Sequence, residues 1–546
     1  MVNPVAVPRM RLIRVGDPTD WQFVNGTWQD GPDGSLQVPE SLVRRDGPAM
    51  QGHHYAFLRT MVLGDFRARF QFRLTPHSDA GIILRAQDPT HFHLLHFPNC
   101  GQASRAQNFW AAFSRMGSDG YLRSVNLELV RRVPSTPFGW LDAEVEVTGR
   151  RLAVRLQDTG LFRASDPSMP RRGRMGLYLF GGAGIRGLGI DGRPSLSQRW
   201  NGRRLPRRNW FHPRPHPQQR IWQAPAQLVR LPSGGLILSY DVRRDSVSKE
   251  IGPLLVRSTD GGRHWSEPRL LEVKGIEGWQ SAVIHAFPDD QLRLIIGRDG
   301  RYMLADTPDE GLTWSRPRPM GIQPSPPGIK VLHLGPQALL NLADGSLLMF
   351  AYGGHSSTVA DSSIFTWGSH HCQAFCCRSA DGGMTWSPWV NIDGTVDGSG
   401  QRVAGNLDLT EVSAVQTGDG RILALARPIY SPWMWETWSS DGGLTWTPCM
   451  RGPFPGYAAP NIARTRSGAI VVAHRLPECT IHVSLDDGRS WDGGTMIDSA
   501  IWVMGSMVEV EPNTILYVYW DSFESLMRAQ FIRITKAGPV PAGRNR

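Results

Sequence analysis

Cysteine is scarce in this chain. Six of 546 residues are cysteine, namely Cys100, Cys372, Cys376, Cys377, Cys449 and Cys479, and they make no disulfide framework at this length. His370-His371-Cys372 followed by Cys376-Cys377 lacks the paired Cys-x-x-Cys spacing of zinc sites, so neither a metal nor a cofactor is expected. Lysine is rare too, and the net charge of +10 is carried almost wholly by arginine. Such a balance suits an anionic partner, an acidic glycan or a nucleic acid, although an arginine-preferring genome would give the same composition. No Lys/Arg run with interleaved aromatics occurs, which argues against nucleic acid. No apolar stretch of signal-peptide length opens the chain, and none could span a membrane. A soluble protein is expected, secreted or periplasmic if a leader was removed and otherwise cytoplasmic. Long amphipathic helical periods are missing, while glycine (59) and proline (41) are abundant. All-β architecture and more than one domain follow.

The two halves differ in texture. Up to residue 195 the chain alternates apolar and polar residues in short runs. Examples are Phe66-Arg-Ala-Arg-Phe-Gln-Phe72, Ala80-Gly-Ile-Ile-Leu-Arg85, Ala143-Glu-Val-Glu-Val147 and Leu152-Ala-Val-Arg-Leu156. Period-two alternation between Gly, Pro and Asp punctuation predicts antiparallel sheets packed as a sandwich. Residues 196–218 are dense in Pro, Arg, His and Trp and read as an extended linker. In the second half one phrase recurs five times: Ser258-Thr-Asp260-Gly-Gly262-Arg-His-Trp265, then versions ending in Trp314, Trp386, Trp446 and Trp491. As a β-turn it has a physical logic. The Asp is expected to accept from backbone amides two and three residues on, Gly supplies positive φ, and Trp folds under as an anchor. Repeated turns at irregular spacing mean repeated supersecondary units.

These phrases resemble the Asp-boxes of the sialidase (BNR-repeat) superfamily, whose fold is a six-bladed β-propeller. The first half, through Gly64-Asp-Phe66-Arg-Ala68-Arg-Phe70, Ala80-Gly-Ile-Ile-Leu-Arg85 and Gly173-Arg-Met-Gly-Leu-Tyr178, resembles the concanavalin/laminin-G-like jelly roll. More narrowly, it is similar to the 3-keto-disaccharide hydrolase domain. The expected division is a sandwich over 1–195, a linker over 196–218, a propeller over 219–537 and a tail over 538–546.

A hairpin precedes most of the repeats, and six copies align on a turn residue: Gly234, Asp290, Gly345, Gly420, Gly468 and Asn513. Six hairpins and five boxes fit six blades. Nine residues before the turn stand Pro225, Ser281, Pro336, Glu411, Ala459 and Met504. Two earlier stand Gln223, Trp279, Leu334, Leu409, Tyr457 and Trp502. Seven after the turn stand Asp241, Gly297 (with Arg298), Tyr352, Arg427, Arg475 and Trp520. A hairpin brings its outer ends together, so these positions are expected to line one face of the disc, with the boxes on the other. Inner strands of a propeller converge there, which makes that face the candidate site.

Glu411 is the only ionisable residue in its ring and needs a partner. Arg427 lies across the same hairpin, and Arg475 has the equivalent place in the next blade. A Glu facing two Arg residues suits an anionic sugar, since Arg clamps carboxylates bidentately. The competing reading is an internal ion pair stapling two blades. The resemblance extends to these residues: Glu411 and Arg427 have the spacing of the family's Glu and one triad Arg, and Arg475 matches another. Asp245 resembles the acid/base Asp, with Glu250 as fallback. Two departures stand against it. Gln223-Ala-Pro225 replaces the family's first Arg-Ile-Pro, and Met504 replaces its nucleophilic Tyr. Tyr457 is then a candidate relocated phenol.

The expected function is an exo-glycoside hydrolase cleaving a terminal acidic sugar from a glycan. Asp245 would be general acid and Glu411 base or activator, with Tyr457 in reserve. Arg427 and Arg475 would hold a carboxylate, and Gln223, Trp279, Arg298, Tyr352 and Trp502 would shape the pocket. Without the family Tyr, direct displacement by water held between two carboxylates becomes plausible chemistry. The rivals are a non-catalytic glycan-binding propeller, a polysaccharide lyase with Tyr457 or His355 as base, and a protein-interaction scaffold.

Overall fold

The computed structural model describes residues 11–12, 20–24, 28–38, 54–59, 61–75, 78–99, 109–130, 139–196, 209–213, 226–241, 253–274, 281–298, 301–327, 329, 332–354, 372–392, 409–428, 433–456, 460–475, 478–498, 505–521 and 526–543. Their secondary structure is all β. The chain divides into two compact units. The first holds Met1–Arg208 with Pro477–Thr480 and Gly493–Ile501; the second holds Asn209–Leu476, Ile481–Asp492 and Trp502–Arg546.

The first unit is a sandwich. In one sheet Phe66–Arg73 lies between Leu141–Thr148 and Gly184–Gly192, and Arg151–Leu156 with Thr159–Ser165 extend it. The other runs His54–Leu58, Arg174–Phe180, Asp79–Asp88, His91–His96, Phe109–Met116. The predicted alternation sorts the first sheet cleanly: Phe66, Ala68, Phe70 and Phe72 are buried in the core with Ile82, Leu84, Leu95 and Phe97. The intervening residues pair outside, Arg67 with Glu146 at 3.3 Å, Arg69 with Glu144, and Gln71 with Asp142 at 2.9 Å. Phe72 stacks on Phe97 across the core, ring centroids 4.4 Å apart.

The second unit is built of blades. Five four-stranded antiparallel sheets stand separately, the first running Gln227–Arg230, Leu236–Asp241, Pro253–Ser258, Arg269–Leu270. The sixth expected blade, fifth in chain order, begins with the hairpin Asn461–Arg464 and Ile470–His474. Its strands do not stand as a separate four-stranded sheet. Two expectations from the sequence are corrected. Gly538–Pro541, placed in a tail, is the outer strand of the last blade. In the supposed linker Phe211 exchanges two backbone hydrogen bonds with Ala529, 2.9 and 2.7 Å, and stacks on Phe531. An aromatic beside proline can dock on a sheet edge when the edge offers free amides and an apolar ring.

In all five Asp turns the opening Ser or Thr hydroxyl accepts from the glycine amide four residues on, and in three of them the Trp indole donates to that glycine's carbonyl. In the first, Ser258 Oγ accepts from the Gly262 amide at 2.8 Å, and Asp260 accepts from the amides of Arg263 and His264 at 3.0 and 2.9 Å. The Asp therefore reaches three and four residues on, not two and three, because the amide two on is taken by the serine. Trp265 Nε1 donates to the Gly262 carbonyl at 3.0 Å, which folds the ring beneath the turn. These bonds, chiefly from His264, hold the Asp260 carboxyl at about 2 although partial burial opposes them.

The glycine at the fifth position of each phrase packs on the preceding blade. A Cβ on Gly311 would lie 2.8 Å from Ile237 of the first blade, on Gly383 2.6 Å from Phe287 of the second, and on Gly443 2.7 Å from Leu348 of the third. Gly488 faces Leu423 and Trp438 of the fourth, and Gly262 of the first blade faces Leu516 of the last. The same order appears in the cores. Leu236, Leu238 and Val256 cluster with Leu516, Val518 and Phe531, so the first and last blades meet and the ring closes. We expect Gly443→Ala, which adds a methyl at φ +88 against Leu348, to cost about 2–4 kcal/mol in urea denaturation. A similar alanine at Gly420, where nothing lies within 4 Å, would cost only its backbone strain.

Candidate active site

The fourth blade runs Leu409–Gln416, Ile422–Pro428, Trp433–Ser439, Met450–Pro455. Its first two strands are in register at Thr410↔Arg427, and then the pairing slips so that Ser413 faces Leu425. Two residues fill this bulge, and one of them, Glu411, has φ +48. A non-glycine residue held there costs about 1 kcal/mol or more and persists only when its surroundings impose it. The carboxylate it carries is buried and ion-paired. Arg427 Nη1 donates to Glu411 Oε2 at 2.8 Å, and the two side chains are 7% and 4% exposed. The pair joins two strands of one hairpin. Adjacent positions on a hairpin rung were enough to bring it together.

The third blade supplies the neighbours. Its first strand, His333–Asn341, also bulges, between Leu334 and Leu339, so that His333 rather than Pro336 stands opposite Tyr352. Within the bulge Gln337 reaches the fifth-blade backbone, donating to the Ile462 carbonyl at 3.1 Å and accepting from its amide at 2.8 Å. Gly335 lies against the Glu411 backbone, a Cβ there being 3.8 Å from Glu411 Cα. Tyr352 is buried; burial, then the nearby Glu411 charge, push its phenol well above the ordinary tyrosine value. It is therefore a neutral phenol. His333 tilts against it with ring centroids 5.8 Å apart, and burial lowers its imidazole to about 4. Sequence reasoning missed His333, because the bulge moved the register by three residues and nothing in the local sequence marks it.

The other expected residues divide. Arg475 is buried at the end of Ile470–His474. Arg298 ends the strand Leu292–Arg298 opposite Arg301, its side chain outside the described residues. Asp245, Tyr457, Gln223, Trp279 and Trp502 lie outside the described residues, as do Glu250, His355, His370, His371 and Met504. Trp520, aligned with the ring after the turn, is instead buried in the core between the first and last blades. Cys376 and Cys377 are buried thiols in Cys372–Ser379, and burial raises Cys376 to about 12.

The Asp turns lie at the far end of each blade. Ser439, which opens the fourth turn, stands opposite Ile422, whereas Arg427 is five residues further along the same strand. At 3.3 Å per residue that is roughly 16 Å. The Asp260, Asp309, Asp381, Asp441 and Asp486 carboxylates are all engaged by their own turns.

Residues 278–501 match the family model of the BNR repeat-like domain, and residues 16–186 match that of the 3-keto-alpha-glucoside-1,2-lyase-like domain. The chain carries one domain of each kind. No curated protein matches it. Among solved structures it is similar to the Hadza microbial sialidase Hz136, at 16% identity and TM-score 0.48, covering 92% of this chain and 99% of that one. It is also similar to an α-L-arabinofuranosidase of Fusarium graminearum, at 13% identity and TM-score 0.42, covering 60% and 98%. A third is a protein of unknown function from Dyadobacter fermentans, at 14% and TM-score 0.48, covering 60% and 98%.

Removing one partner of a buried pair leaves the other charge stranded. Arg427→Met should therefore destabilise the protein by about 3–5 kcal/mol, and adding Glu411→Leu should recover most of that loss. A double-mutant cycle in urea denaturation measures the coupling, and additive losses would show that the pair does not hold the bulge.

Proposed function

We propose that the second unit is a sialidase-like exo-glycoside hydrolase acting on a terminal acidic sugar of a glycan, with Glu411 as its central carboxylate. The observation that carries this reading is the buried Glu411–Arg427 pair on a left-handed bulge. The placement favours chemistry over simple stapling, because a stabilising ion pair has no need of a strained backbone at the carboxylate. Arg427 holds the carboxylate in one orientation, and the neutral Tyr352 phenol beside it leaves Glu411 as the proton acceptor. In this reading Asp245 is the general acid on the leaving oxygen, and Glu411 draws a proton from the attacking group. With Met504 where a phenol would stand, that group is water, placed between the two carboxylates, and the anomeric configuration inverts. Arg475 contributes the charge that selects an acidic sugar, and Gln223, Trp279, Arg298, Tyr457 and Trp502 complete the pocket.

A second reading has its own support. Arg427 is already ion-paired with Glu411, so the Glu411 charge is matched without a ligand, as it would be in a glycan-binding propeller without catalysis. The two readings separate on one variant. Glu411→Gln should lower turnover of aryl glycosides of sialic or uronic acids by about 10²–10⁴-fold, while retention on a glycan array changes little. Array binding with no sugar released by the unmodified protein would establish the binding module instead. Ultraviolet absorbance from an unsaturated product would point to a lyase.

A further inference from the structure

The fifth blade buries a polar side chain that has no assigned role. Asn461 opens the strand Asn461–Arg464 and stands opposite Ala473. It is 2% exposed, as deeply set as Glu411 and Arg475 at 4% each. Neither Nδ2 nor Oδ1 of its amide has a hydrogen-bond partner among the described residues. The backbone on either side of it is held. Ser413, close after Glu411 on the fourth blade's first strand, donates through Oγ to the Pro460 carbonyl at 2.6 Å. On the other side Gln337 of the third blade takes both backbone groups of Ile462. Period-two alternation then sets the direction of the side chain. Ile462 packs with Leu423 and Leu425 of the fourth blade, and His474 stacks on Phe454 of that blade with ring centroids 5.4 Å apart. Asn461 and Ala473 therefore face away from the fourth blade, and Arg475, next but one after Ala473, continues that face.

A buried amide that makes no bond lowers the stability of the fold that carries it, and such groups are few in native proteins. An apolar residue would occupy the same place without that penalty. We infer that Asn461 is a substrate-binding residue, its amide taking a neutral group of the sugar that both donates and accepts, a hydroxyl or an acylamino substituent. This assignment rests on the reading of the second unit as a glycan-processing propeller, and it adds a neutral contact to the charge of Arg475. A carboxamide offers two donors and an acceptor without charge. A site built that way rejects an analogue lacking the bonded group, because its own buried polar atoms are then left unpaired.

The test uses the full chain. Turnover is followed for aryl glycosides of sialic and uronic acids, and for analogues of each that lack one hydroxyl or the acylamino group. In the unmodified protein one analogue should lose about 10- to 100-fold in kcat/KM relative to its parent. In Asn461→Ala the parent should fall by a similar factor and react like that analogue, while the other analogues keep their ratios. Asn461→Val, which keeps more of the side-chain volume, should give the same pattern where the alanine variant folds poorly. If the unmodified protein binds these sugars without turning them over, the hydrolase reading fails, and the same comparison is made in Kd by titration calorimetry. An analogue penalty that survives in Asn461→Ala would overturn the assignment, by either readout. So would an equal loss for every analogue, which marks a distorted pocket rather than a lost hydrogen bond.

Discussion

The second unit rests on the burial of each blade's face against the blade before it. A lone four-stranded sheet has two faces to cover and cannot bury them by itself. Here the apolar side chains of successive blades interlock, Ile237 and Leu255 with Ile284 and Leu294, Leu347 and Met349 with Val283 and Ile295. The last blade meets the first through Leu516 and Leu236. Close approach of the blades requires a residue without a side chain at each Asp turn, which is why Gly311, Gly383 and Gly443 stand where a Cβ would collide with the neighbour. The phrase that looks like a local turn motif is thus also a spacing device for the ring.

That constraint explains where chemistry can reside. One end of each blade but the last is consumed by the turn, its carboxylate tied to backbone amides, as at Asp381. The opposite end of the hairpin is free of this pattern, and there the strands depart from regular pairing, at Thr410/Ser413 and at Leu334/Leu339. Bulges at this end re-aim side chains that a regular ladder would send into the sheet-packing layers. Glu411 and Tyr352 come near each other because two such irregular strands are neighbours.

Much of this was legible in residues alone. The five Asp–Gly–Trp phrases marked the blades because a turn's geometry depends on a few adjacent residues. Period-two alternation over Phe66–Arg73 marked the sandwich core for the same reason. The Glu411–Arg427 pairing was also legible, since a hairpin's register converts sequence spacing into contact. Less legible were features set by distant partners. His333 replaced Pro336 opposite Tyr352 in a bulge from which Gln337 reaches the backbone of Ile462. Phe211 left its expected linker for the edge of the last blade, at Ala529.

Local chemistry in the sequence determined the blades, the sandwich strands and the ion pair on one hairpin, because turn propensity, alternation and spacing act over fewer than about twenty residues. Tertiary structure alone decided which glycines touch which blade and that Glu411 carries a left-handed backbone. It alone decided that Asn461 is buried between backbone groups held by Ser413 and by the distant Gln337. Burial and hydrogen bonding across such separations are properties of the assembled core, where desolvation sets the cost of each polar group, and no local pattern encodes them.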